Sequence, residues 1–166
     1  MTGLEPLVAR VRLAVFDFDG VFTDNRVWVD EHGRESVACS RADGFGLERL
    51  REVGVDAVIL TSERVPIAAA RARKLGIPCR DGLPSKLKAL REEAGRRGVA
   101  LDETAYVGND VNDADCLREV GLPVVPADAW PEAAALARWV LDRRGGRGCV
   151  REFCDAVWRA RRRGAA

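Results

Sequence analysis

Two aspartates one residue apart, Asp17 and Asp19, follow the apolar run Leu13-Ala14-Val15-Phe16 and lead directly into Gly20. An unbroken apolar run ending in acids reads as a buried parallel strand that delivers carboxylates to the carboxyl edge of a sheet, where open α/β folds hold their ligands. Side chains at i and i+2 of a strand share a side, so both carboxylates start out aimed at one small volume. Anions that close oppose each other's ionisation unless a cation or a shared proton lies between them, and a divalent metal meets that need. Taken alone, the same residues also suit a strand-to-turn junction in which Asp forms the turn.

Three further segments carry chemistry in order along the chain. Thr61 closes the apolar run 55–60, Lys86 stands near the start of a helical pattern over 84–97, and Gly108-Asn109-Asp110-Val111-Asn112-Asp113 follows the apolar Ala105-Tyr106-Val107. A compact ammonium near a helix start can meet a phosphate beside free backbone N–H groups, although a lone lysine is more often surface decoration. With Asp17-x-Asp19-Gly20, these segments resemble the four motifs of the haloacid dehalogenase superfamily of phosphatases.

That resemblance implies Asp17 as a nucleophile forming an aspartyl-phosphate, and Asp19 as the acid that protonates the leaving alkoxide and then the base that activates water. It implies Thr61, with the backbone N–H of Ser62, on a phosphoryl oxygen, and Lys86 neutralising phosphoryl charge and holding Asp17 ionised. Mg²⁺ is expected on the Asp17 carboxylate and the Asp19 backbone carbonyl, completed by Asn109 and Asp110, with Asp113 in a supporting role. Asn109 departs from the motif, which usually has Asp there. Its amide oxygen can still ligate, but the missing charge should weaken metal affinity, and Asp110 is the expected compensation. Asn109 and Asp110 are also helix-cap candidates.

The elements that must position these residues alternate. Strand patterns at 13–16, 55–60, 77–79, 105–107, 122–125 and 139–140 are interleaved with helical patterns at 43–53, 65–75, 84–97, 113–120, 131–137 and 150–159. The reading is α/β, a doubly wound, Rossmann-like parallel sheet in one domain spanning 1–166. Segments 26–30 and 35–39, joined by Glu31-His32-Gly33-Arg34, predict a β-hairpin inserted after the first strand. The short span between Asp19 and the next helix leaves no room for the cap domain that superfamily members often insert. Asp43 is placed to cap the helix 43–53. Phe153, Val157 and Trp158 of the last helix should pack on a neighbour, and His32 reads as a turn surface residue.

With 27 basic and 26 acidic residues the net charge is +1, so no global field draws the chain to nucleic acid or to a membrane. Basic residues concentrate between 143 and 163, and the last of them, Arg159, Arg161, Arg162 and Arg163, read as a solvated helix end, where cations suit the negative pole of the helix dipole. Five cysteines with no CxxC spacing argue against a zinc site and a disulfide framework, and for a reduced compartment. Without a signal-like or membrane-length apolar stretch, the expected location is cytoplasmic.

Within the superfamily, the missing cap, the hairpin, Ser40-Arg41-Ala42-Asp43-Gly44-Phe45-Gly46 and Gly145-Gly146-Arg147-Gly148-Cys149-Val150-Arg151-Glu152-Phe153 resemble one branch. It holds the 3-deoxy-octulosonate 8-phosphate phosphatases, the nonulosonate 9-phosphate phosphatases and a related domain at the carboxyl end of CMP-sialate synthetases. The resemblance implies a sugar-acid phosphate as substrate and a homotetramer in which hairpins pair and a neighbouring subunit covers each site. It also implies that Asp43, Gly44, Glu63 and Arg71 reach the sugar acid, with the Gly-rich turn bordering the site. Glu63 stands where octulosonate enzymes typically show Arg after Thr-Gly, which points to a nine-carbon substrate of the KDN or sialate type. Glu63 as a helix cap, or as a partner of Arg64 or Arg71, stays open. So do the octulosonate 8-phosphate reading and that of a non-catalytic oligomerisation domain.

Overall fold

Residues 3–64 and 66–164 are described by a computed structural model. The chain runs α1 (Glu5–Arg10), β1 (Leu13–Phe16), β2 (Trp28–Val29), β3 (Glu35–Ser36), α2 (Ala42–Glu52), β4 (Asp56–Leu60), α3 (Pro66–Leu75) and β5 (Cys79–Arg80). It continues through α4 (Lys86–Arg97), β6 (Thr104–Val107), α5 (Ala114–Glu119), β7 (Leu122–Val125), α6 (Pro131–Ala134), β8 (Trp139–Val140) and α7 (Cys149–Gly164), with 3₁₀ turns at Leu101–Glu103 and Val111–Asp113.

Every residue of β1, β6 and β7 is buried, which is what strands covered on both faces require. They lie in a six-stranded parallel sheet of order β5-β4-β1-β6-β7-β8. One face packs Phe16, Phe18, Phe22 and Phe153 with the apolar stripes of α2, α3 and α7. The other packs Leu13, Val15, Leu60 and Tyr106 with α4, α5 and α6. This is the expected doubly wound α/β architecture. The order reverses between β1 and β6, and both acid-bearing loops leave the sheet at that switch point, where such sheets bind ligands.

Several elements differ from the sequence reading. The hairpin pairs only Trp28 with Ser36 and Val29 with Glu35, apart from the main sheet. The third sheet strand begins after Pro78, whose carbonyl instead accepts from the Ile59 N–H at 3.0 Å. Val65, expected to open the following helix, lies outside the described residues. Arg41, not Asp43, occupies the N-cap of α2, and Asp43 falls within the first turn.

The last helix runs to Gly164 because its arginines are tied to the body of the protein. Arg161 donates to the backbone carbonyls of Val53 at 3.2 Å and Val11 at 3.0 Å, and Arg163 pairs with Glu5 at 2.8 Å. The solvated-end reading is therefore corrected at Arg161, while Arg162 and Arg163 are exposed as expected. Phe153 and Val157 are buried as expected, while the Trp158 indole lies beside the guanidinium groups of Arg49 and Arg162. All five cysteines are free.

The turn before α7 meets the loop after β1 backbone to backbone. Gly146 donates its N–H to the Val21 carbonyl at 3.0 Å, Gly145 donates to Asp128 at 2.9 Å, and a Cβ at Gly145 would overlap the carbonyl oxygen of Gly20. Gly95, within α4, has open space where a Cβ would go. Gly145→Ala should therefore cost about 1–3 kcal/mol in urea denaturation, whereas Gly95→Ala should leave stability unchanged or raise it by up to about 1 kcal/mol.

Candidate active site

Parallel register brings the two acidic loops together. Phe16 at the end of β1 is level with Val107 at the end of β6, and the Asp17 N–H donates to the Val107 carbonyl at 2.9 Å. Beyond Asp17 the chain makes a tight turn in which the Phe22 N–H donates to the Phe18 carbonyl at 2.9 Å. Gly20 sits at φ +77°, and the Asn109 side chain fills the space its Cβ would need. The Thr23 hydroxyl accepts from the Gly20 N–H at 3.2 Å and donates to Asp19 Oδ1 at 3.4 Å, which orients the second carboxylate.

A buried ion cluster lies at the switch point. Ser85 caps α4 by accepting from the Lys88 N–H, and Lys86 in the first turn is buried. Its Nζ is 2.8 Å from Asp17 Oδ1 and 2.9 Å from Asp113 Oδ1. Asp113 also accepts from the Tyr106 hydroxyl at 2.6 Å and from the N–H groups of Asn109 at 2.8 Å and Asp110 at 3.3 Å. One fully buried carboxylate thus holds the whole acidic loop. Gly108 is needed here because a Cβ would crowd the Asp113 carboxylate.

The electrostatics follow from burial. Desolvation, reinforced by the Asp113 charge, pushes the Asp17 carboxyl up to about 8, against the pull of Lys86 and of the Phe18 N–H. Burial alone would lower Lys86, but Asp17 and Asp113 outweigh it and raise its ammonium above the usual value. Asp19 is raised by desolvation and then by the neighbouring Glu63 charge. A carboxyl raised in this way can carry a proton to a leaving group.

Asp17, Asp19, Thr61, Ser62, Glu63, Asn109 and Asp110 line one cavity of about 390 Å³. Lys86 and Asp113 are buried behind Asp17. The Thr61 hydroxyl accepts from the Glu63 N–H at 3.2 Å, which shapes the turn after β4. The Asp110 carboxylate accepts from the Val111 N–H at 2.7 Å in a capping box completed by Asp113, so the cap role noted for it is present while the residue also borders the cavity.

Asp43, Gly44 and Arg71 are not among the cavity-lining residues. Asp43 is 1 % exposed in the first turn of α2, and Arg71 of α3 donates to the Ser40 carbonyl, in the segment before α2, at 2.7 Å. Conversely, Arg26 and Glu35 of the hairpin region line the cavity and were not singled out from sequence. The signal available was adjacency to the Asp19-Gly20 turn, but a short hairpin pattern does not say which face meets the site.

The oxygen-rich lining suits a hard divalent cation such as Mg²⁺. Asn109 Oδ1 is buried with no hydrogen-bond partner among the described residues, a costly state that a cation would relieve. No group of three or more His, Cys, Asp or Glu among the described residues is arranged for a metal, so the amide of Asn109 and a backbone carbonyl must complete any such set.

Among the described residues both carboxylate oxygens of Asp43 are buried without a well-formed hydrogen bond, and desolvation pushes this acid up to about 7 despite the nearby Arg71 charge and Arg151 N–H. Because the folded value lies above the unfolded one, the native state binds the extra proton, and the Asp43 contribution to stability falls as pH rises from about 4 to about 7. In denaturation at stepped pH, the difference between wild type and Asp43→Asn should shift in favour of Asn across that window.

No protein-family model matches the sequence. The chain is 35% identical over 150 residues, covering 90% of itself and 80% of the relative, to a protein from Yersinia pestis named 3-deoxy-D-manno-octulosonate 8-phosphate phosphatase KdsC. It superposes at a TM-score of 0.93 on a hypothetical protein from Xanthomonas campestris, with 39% identity and coverage of 95% of this chain and 87% of that one. A 3-deoxy-D-manno-octulosonate 8-phosphate phosphatase from Moraxella catarrhalis, solved with magnesium ion, phosphate ion and a KDO molecule, gives a TM-score of 0.93 at 28% identity, with 98% and 94% covered.

Proposed function

The chain belongs to the haloacid dehalogenase superfamily, in the capless phosphatase family of KdsC, and from that premise we propose that it hydrolyses the phosphate monoester of an eight- or nine-carbon sugar acid with Mg²⁺ as cofactor. The observation that carries this reading is the Asp17–Lys86–Asp113 cluster opening on a cavity that also holds Asp19 and the unpartnered Asn109 oxygen.

Attack by a carboxylate on a phosphate dianion is opposed by charge, so the site must supply positive charge and alignment. Asp17, the Asp19 backbone carbonyl, Asn109 and Asp110 would hold Mg²⁺, which when bound would supply that charge and favour the ionised form of Asp17. Lys86 keeps Asp17 in one orientation and adds a second positive charge beside it. The carboxylate attacks phosphorus as the P–O bond to the sugar breaks. Asp19, its carboxyl raised by burial and Glu63, gives its proton to the departing alkoxide and then takes one from the water that cleaves the aspartyl-phosphate. Thr61 and the Ser62 N–H are the assigned donors to the phosphoryl oxygens.

Substrate length is the finer question. The eight-carbon ester is supported by the relatives named as 3-deoxy-D-manno-octulosonate 8-phosphate phosphatases, and the nine-carbon ester by Glu63, which lines the cavity and makes no ion pair with Arg64 or Arg71 among the described residues. The non-catalytic reading is set aside, since the curated relatives are phosphatases. The five free cysteines support a reducing, cytoplasmic location.

Mg²⁺-dependent phosphate release should be seen from octulosonate 8-phosphate or from nonulosonate 9-phosphates, and comparison of kcat/KM decides between them. Asp17→Asn should abolish turnover with the fold retained by circular dichroism; retained turnover would remove Asp17 as nucleophile.

The expected homotetramer is supported by the hairpin, where Val27, Trp28 and Val29 are exposed, Trp28 at 75 %. Trp28→Glu should convert the assembly to monomers in light scattering, with kcat/KM falling because the cavity mouth is left uncovered.

A further inference from the structure

Resting on the phosphatase reading above, we propose that the Tyr106 hydroxyl is a positioning group for the reaction: it occupies the Asp113 oxygen that would otherwise draw Lys86 away, and so keeps the ammonium on the nucleophile Asp17. By pattern Tyr106 is only the middle of the apolar run Ala105-Tyr106-Val107, a place where Phe would serve equally if packing were the whole demand. It lies in β6, fully buried, in the apolar cluster that also holds Leu13, Val15 and Leu60. Its hydroxyl reaches past that cluster to the Asp113 carboxylate.

The donors to Asp113 divide evenly between its two oxygens. Oδ2 accepts the N–H groups of Asn109 at 2.8 Å and Asp110 at 3.3 Å, while Oδ1 accepts the Tyr106 hydroxyl at 2.6 Å and Lys86 Nζ at 2.9 Å. A carboxylate only accepts, so the phenol is the donor, and burial together with the Asp113 charge raises its hydroxyl well above the usual value and keeps the proton on it. Lys86 is shared, with Asp17 Oδ1 at 2.8 Å on its other side.

An ammonium between two buried carboxylates sits where their pulls balance, and each pull depends on how much of that carboxylate is answered elsewhere. Asp17 Oδ1 has one further donor, the Phe18 N–H at 2.7 Å. Asp113 Oδ1 has the Tyr106 hydroxyl, so the two oxygens flanking Lys86 are matched, with one additional donor each. Without the phenol, Asp113 Oδ1 keeps Lys86 alone, and the only partner able to move closer is the lysine side chain. Lys86 then shifts toward Asp113, and Asp17 loses the contact that holds its carboxylate in line for attack. Tyr106 touches neither the ester nor Asp17 in this scheme; it acts through Asp113 and Lys86.

The test compares wild type, Tyr106→Phe and Thr104→Val. Thr104 is two residues away on β6 and equally buried, and its hydroxyl donates to the Ala100 carbonyl at 3.0 Å, so Val there removes a buried hydroxyl from the same strand without touching the cluster. Single-turnover cleavage is followed on 4-nitrophenyl phosphate, whose leaving group departs without a proton, and on the sugar-acid ester that the wild type prefers. Tyr106→Phe should slow cleavage of both esters by about tenfold or more, with the loss in kcat rather than KM, and Thr104→Val should leave both rates unchanged. A smaller loss, an equal loss in Thr104→Val, a loss carried by KM, or a loss confined to the sugar ester overturns the assignment, the last because it would place the defect at the proton donor Asp19. Wild type that cleaves neither 4-nitrophenyl phosphate nor any sugar-acid ester overturns the phosphatase reading itself, and the role of Tyr106 with it. Thermal unfolding of each variant sets an assay temperature at which all three are folded, so that lost stability is not read as lost positioning.

Discussion

Three buried ionic groups that cannot be satisfied separately hold this structure's centre. Lys86 lies within hydrogen-bond reach of both Asp17 and Asp113, and each comes from a different element: the end of β1, the first turn of α4 and the turn after β6. Leaving any one of them buried without its partners would cost roughly 3–5 kcal/mol, so the cluster demands that the three elements meet. The acidic loop follows as a consequence, because Asp113 spends its remaining acceptor capacity on Tyr106 and on the N–H groups of Asn109 and Asp110. What looks like a catalytic arrangement is also the bond between the two halves of the sheet.

A division of labour between rigid floor and open mouth follows from this. The floor is buried and built from residues whose alternatives are excluded by overlap, as at Gly20 by Asn109 and at Gly108 by Asp113. The mouth is built from a two-residue hairpin pairing and from side chains such as Arg26 and Glu63, which are exposed. On the proposed function, the chemistry common to phosphate esters falls to the first and selection among esters to the second. Such a site can change substrate without disturbing its reactive groups.

The parts legible in sequence were those written in local pattern. Three short apolar runs each ending in a polar signal gave β1, β4, β6 and the loops after them, and the helical pattern over 84–97 placed Lys86 near the start of α4. The aspartate pair and Thr61 were readable because strand ends converge at a switch point, whereas Lys86, at a helix start, was assigned only by its resemblance to a family motif. Asp43 was misplaced because helix-cap propensity is local, whereas its position was set by the packing of α2 against α7, where a Cβ at Gly46 would press on Arg151. Arg161 was read as solvated for the same reason: its acceptors, the carbonyls of Val11 and Val53, are remote in sequence. Arg26 and Glu35 escaped notice because the face of a short hairpin that meets the cavity is set by the fold and not by local pattern.

The contact between the Gly145-Gly146 turn and the loop of residues 20–24 has a consequence for the order in which the protein is made. Val21 receives the Gly146 N–H and also the Cys149 thiol, a partner 128 residues further along the chain. Synthesis proceeds from the amino end, so β1, β4 and β6 can assemble on the ribosome while the loop beside Asp19 still lacks its support. The reactive loop is therefore among the last parts to settle. A nascent chain can complete its sheet strands before the loop beside Asp19 gains the contacts that Gly146 and Cys149 make with Val21.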